Sequence, residues 1–68
     1  MNHYSYHVQW SEEDRAYIAK SPEFPFMAAD GETPQEAIQE LQLALQGAIE
    51  VYKEKGWDLP EPQVVAPA

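Results

Sequence analysis

Tyr4, Tyr6, Val8 and Trp10 alternate with Ser5, His7 and Gln9, so the chain opens on a period of two in residue types that favour extended structure. Residues 3–10 are expected to form a first, half-buried strand. Ser11-Glu12-Glu13-Asp14-Arg15 holds turn formers and charge but no apolar face, and Ala16 to Ser21 reads as a second strand, reached through a hairpin loop of four or five residues. Each proline of Ser21-Pro22-Glu23-Phe24-Pro25 removes a ladder donor and turns the residue before it away from helix. The sheet is expected to break there and to resume over Phe26 to Ala29 as a short third strand, at an edge or across a bulge.

The period changes at Gly31-Glu32-Thr33-Pro34-Gln35-Glu36-Ala37. Thr33 suits an N-cap, Pro34 the first helical position, and Glu36 the third position of a capping box, while Gly31 admits the positive φ that such a corner often needs. From Pro34 to about Lys55, Ile38, Leu41, Leu45, Ile49 and Tyr52 fall on one side of a helical wheel, flanked by Ala37, Ala44 and Ala48, which predicts a helix packed on the sheet. Gly56 fits the position after the helix, Trp57 can supply the apolar contact beyond it, and Lys53 and Lys55 suit the negative end of the helix dipole. Asp58-Leu59-Pro60-Glu61-Pro62 is extended, and Gln63-Val64-Val65-Ala66 either adds a short final strand or forms a frayed tail. The expected fold is α+β: a three-stranded antiparallel sheet, then one long helix on one face, with room for a fourth strand. A single domain spans 1–68, its core lying within 3–57.

A chain of 68 residues without cysteine buries a small core and has no disulfide to supplement it, so self-association into a homodimer or homotetramer is expected. Arg15, Lys20, Lys53 and Lys55 stand against 12 acidic residues, a formal charge of −8 that repels phosphates and argues against direct nucleic-acid binding. The same field is complementary to a basic protein. Met1-Asn2-His3-Tyr4 lacks the basic and apolar blocks of a secretion signal, and no apolar run approaches about 18 residues, so a soluble cytoplasmic protein without membrane contact is expected.

Candidate chemistry fails on spacing. His3 and His7 point the same way along a strand but lie about 13 Å apart, too far to share a metal. No CxxC, HExxH, glycine-rich phosphate loop or cysteine nucleophile is present, and Ser5, Ser11 and Ser21 have no signature context. A cation on Glu12-Glu13-Asp14, or a small hydrolase or metal-dependent nuclease using Asp14, Asp30 or His7, is the only catalytic reading left, and the expectation is a non-enzyme with no cofactor or metal. Leu43, Gly47 and Val51, by contrast, form an i, i+4 ridge that runs from the outer face of the helix toward the edge of the buried stripe, bordered by Glu36, Glu40, Glu50 and Glu54.

Tyr4-x-Tyr6-x-Val8-x-Trp10, the acidic turn, Tyr17-Ile18-Ala19, Pro22-Glu23-Phe24-Pro25 and Gly31-x-Thr33-x-x-Glu36-Ala37 follow one another in the order seen in HicB-like antitoxin domains, which this chain resembles over about residues 4 to 52. The resemblance implies a β-β-β-α core with a final short strand, a partial RNase H-like fold without its catalytic acids. It also implies that the chain binds and neutralises a small basic toxin of the HicA type, an RNA-cleaving enzyme, and forms dimers or tetramers. Many members carry glycine where this chain has Phe26, and full-length members continue into a DNA-binding domain; this chain is expected to be a short form without operator binding. The contacts expected with a toxin or a second copy are Glu12, Glu13 and Asp14 of the turn, the pair Phe24 and Phe26, and Leu43 with Gly47 on the ridge. An orphan oligomeric domain with no toxin partner is the alternative.

Overall fold

The computed structural model describes residues 3–62. Three strands, β1 (His7–Ser11), β2 (Ala16–Ser21) and β3 (Phe24–Gly31), precede one helix, α1 (Pro34–Lys55). The strands form an antiparallel meander in the order β1-β2-β3, and the helix lies on one face of it. This is the α+β architecture that the change of period predicts. Residues 63–66, the candidate final strand, lie outside the described residues.

The first strand starts at His7, not at His3. His7 pairs with Lys20 and Val8 with Ala19, so a continuation would bring Tyr6 to Ser21, where β2 ends. Among the described residues no strand lies beside residues 3–5 to pair with them. They are held by side chains instead. Tyr4 is buried in the core and its hydroxyl donates to the Pro60 carbonyl at 2.9 Å.

The third strand is longer than the prolines suggest. Pro22 and Glu23 make a two-residue turn between the paired residues Ser21 and Phe24, a position that uses the fixed φ of proline without spending a ladder bond. Lys20 faces Ala28 and Ser21 faces Phe24, so one step along β2 corresponds to four along β3, and Pro25 falls inside the resulting bulge. Among the described residues β3 is an edge strand, where a missing amide hydrogen is tolerated.

Both helix ends obey local chemistry. Thr33 Oγ1 accepts from the Glu36 amide at 3.1 Å, Pro34 opens the helix, and the Glu36 carboxylate accepts from the Glu32 amide at 3.0 Å, one residue earlier than a standard capping box. At the other end Gly56 is left-handed at φ 71°, its amide donates to Lys53 and that of Trp57 to Tyr52, and the Tyr52 and Trp57 rings meet edge to face. These are the bonds and the apolar contact of a Schellman motif. Gly31, however, does not adopt a positive φ. Glycine is needed there because a Cβ would sit 2.5 Å from the Ala37 amide nitrogen and 2.8 Å from Glu36 Cβ. The first turn of the helix presses on the end of β3.

Ala37, Leu41, Leu45 and Ile49 are the buried face of α1, and with Tyr4, Ala19 and Phe24 they form the core. Phe24 sits at the centre of an aromatic cluster, with Tyr4, Tyr52 and Phe26 edge to face around it.

Candidate partner-binding surface

The topology separates the seven residues that the sequence singles out. Glu12, Glu13 and Asp14 occupy the β1–β2 turn, beside the end of β3 from which the chain enters α1. Phe24 and Phe26 lie at the opposite end of β3, where Phe24 meets Tyr52 of the C-terminal part of the helix and Phe26 meets Phe24. Leu43 and Gly47 are on the side of α1 away from the sheet. They make three separate places, not one site.

Within the turn, the acids are tied to their own hairpin. Ser11 Oγ donates to the Asp14 carboxylate at 3.1 Å and accepts from the Asp14 amide at 3.2 Å, while Trp10 Nε1 donates to Glu12 at 3.1 Å. The loop closes through Arg15, whose φ of 52° is the one left-handed value at a non-glycine residue among the described residues. Glu13 has no such tie and projects into solvent. Among the described residues no group of three or more His, Cys, Asp or Glu side chains is placed to hold a metal ion.

Phe24 is a correction to the expected contacts. It is fully buried, 0% exposed, because the tight turn at Pro22-Glu23 aims it under the helix, whereas Phe26, beyond Pro25 in the bulge, is 69% exposed. Phe26 is thus the member of the pair that another molecule can touch. On α1, Leu43 is 61% and Val51 43% exposed, and a Cβ added at Gly47 would meet nothing within 4 Å.

No family model, curated protein or solved structure matches this chain. The surface therefore has to be read from its own chemistry.

Two features escaped the sequence reading. Glu23 is 7% exposed, and its carboxylate accepts from the Ser5 amide, the Ser5 hydroxyl and the Ser21 hydroxyl at 3.0, 3.2 and 3.0 Å. It fastens the segment before β1 to the β2–β3 turn and is structural. The second is the sheet face opposite the helix. There His7, Gln9, Ile18, Lys20 and Ala28 line a shallow concavity, with Asp14 at its rim. The odd positions of the opening alternation already marked one side of β1 as polar, but which positions of β2 and β3 join it depends on register.

Among the described residues no helix is long and apolar enough to cross a membrane.

Proposed function

We propose that this chain is a non-enzymatic protein-binding domain of the HicB-like antitoxin type, which binds a small basic RNA-cleaving toxin and neutralises it by covering its active site and RNA-binding surface. The observation that carries the reading is the ordered set of motif residues together with the fold they build. The tyrosines of the opening alternation, Pro22-Glu23-Phe24-Pro25 and Gly31-x-Thr33-x-x-Glu36-Ala37 supply core, turn and helix entry in a β-β-β-α chain. Support comes also from the charge of −8, which suits a basic partner, and from apolar side chains left in solvent at Phe26, Leu43 and Val51. Such an inhibitor needs no chemistry of its own.

A second reading, an orphan oligomeric domain, is favoured by one observation. Only one face of the sheet carries the helix, and Ile18 and Ala28 lie on the other. The experiment that separates the two is to mix the purified chain with a small basic RNA-cleaving protein of the HicA type from the same cell, measuring RNA cleavage and complex mass together. Stoichiometric inhibition with a defined complex is the expected result. Unchanged cleavage, with the chain remaining a self-assembled oligomer, would remove the toxin reading and leave the orphan domain.

A further inference from the structure

Gly47 stands in the middle of α1 although nothing among the described residues requires a glycine there. Its φ is not left-handed, and a Cβ would point into open space. A glycine in a helix interior costs about 1 kcal/mol relative to alanine. Neither backbone conformation nor internal packing accounts for that cost. What the glycine does create is a dent on the outer surface, one turn after Leu43 and one turn before Val51, both of them exposed.

The surroundings of the dent define what fits it. At 100° per residue, Glu36, Glu40, Glu50 and Glu54 fall with Leu43, Gly47 and Val51 inside about 100° of arc. All seven are exposed, and the two lysines of the helix, Lys53 and Lys55, lie outside that arc. A second copy placed against this stripe would bring its glutamates against these, and a nucleic acid would bring phosphates, so both are disfavoured by like charge. A basic protein segment is complementary to it.

We propose that the outer stripe of α1 is a docking surface for a basic segment of a protein partner. One bulky apolar side chain of that segment seats over Gly47 between Leu43 and Val51, and its Lys or Arg side chains meet the glutamates on either side. The inference rests on the reading of this chain as a protein-binding domain, and it specifies the surface and the chemistry of what lands there. The apolar seat holds the partner, and the glutamate rim sets association rate and salt dependence.

The test titrates a synthetic amphipathic peptide, helical, with leucines along one side and lysine and arginine flanking them, into the isotope-labelled full chain. Amide shifts confined to the outward positions between Glu36 and Glu54 are expected. Gly47→Ala should raise the melting temperature, because the added methyl is unopposed and the helix gains propensity, and yet weaken peptide binding about fivefold; Gly47→Leu should weaken it more than tenfold with the fold intact. A glycine without an external role would give the gain in stability with binding unchanged. That result, no peptide binding at all, or shifts centred on Glu12 to Asp14 or on the sheet would each overturn the proposal. The same variants in the toxin assay keep the two readings apart. If the basic RNA-cleaving protein is inhibited equally by wild type and Gly47→Leu, the stripe is not the docking surface although the antitoxin reading stands. If no such protein is inhibited but the peptide maps to the stripe, the surface stands without that partner.

Discussion

The two hairpin turns both carry acids, and they use them in opposite ways. In the β1–β2 turn, Glu12, Glu13 and Asp14 are exposed, and two of them only brace their own loop. In the β2–β3 turn, the single acid Glu23 is buried and gathers donors from a segment 18 residues away in sequence. A run of like charges is conspicuous in a sequence because its members repel one another and need water. A lone glutamate between two prolines is inconspicuous, yet burial makes each of its hydrogen bonds matter more. Number of charges and structural weight run in opposite directions here.

Glu23→Ala gives the largest expected effect. It removes a charged acceptor from the Ser5 amide and from the hydroxyls of Ser5 and Ser21, and bonds to charged groups contribute about 1.5 to 3 kcal/mol each without adding simply. A loss of about 3 kcal/mol is expected, which for a domain of this size lowers the melting temperature by about 12 °C or more. Thermal unfolding followed by circular dichroism reads it. If Glu23→Ala melted within 2 or 3 °C of wild type (~0.5 kcal/mol), the contrast between the turns would collapse.

Arg15→Gly acts in the other direction and on the other turn. At φ 52° the arginine Cβ crowds the backbone, and glycine relieves that at the cost of extra freedom in the unfolded chain. A net gain of about 0.5 to 1 kcal/mol is expected, read as a higher midpoint in urea with an unchanged slope. A loss would mean that the Arg15 side chain holds the loop by contacts its backbone strain conceals.

Glu13→Gln should change stability by less than about 0.5 kcal/mol, as surface substitutions without a tie generally do. A larger loss would show Glu13 bracing the hairpin as its two neighbours do.

The parts of the molecule that were legible in the sequence are those decided by neighbours in the chain. Thr33, Pro34, Gly56 and Trp57 announce the two ends of α1 because capping is settled within four or five residues, and its buried face follows from period. The start of β1 was not legible, since it depends on where β2 stops, and neither was the division of labour between Phe24 and Phe26, since the bulge decides which of them turns inward. The candidate contacts suffered in the same way. Exposure along a helix follows from its wheel, so the exposure of Leu43 and Gly47 was legible; burial in a turn follows from what the rest of the fold brings to it, so Glu23 was missed.

The smallest effect is silent at neutral pH and still discriminates between the turns. Burial raises the Tyr4 phenol above its ordinary value of 10.0, and the negative charges of Glu23 and then Glu61 add to the rise. The neutral phenol is therefore favoured by the folded state. That contribution is complete below the unfolded value of about 10 and is lost as pH climbs through the higher folded value, so stability falls with pH in this alkaline window. Tyrosinate absorbance should retain a component titrating above 10 that Tyr4→Phe deletes. Glu23→Gln should move that component down part of the way, because it removes the second cause and leaves the burial. Neutralising Glu12, Glu13 or Asp14 should leave it in place, since none of them is among the charges that act on Tyr4. A shift caused by the exposed turn would mean that its charges reach the core, and the separation of the two turns into a solvated loop and a structural node would have to be given up.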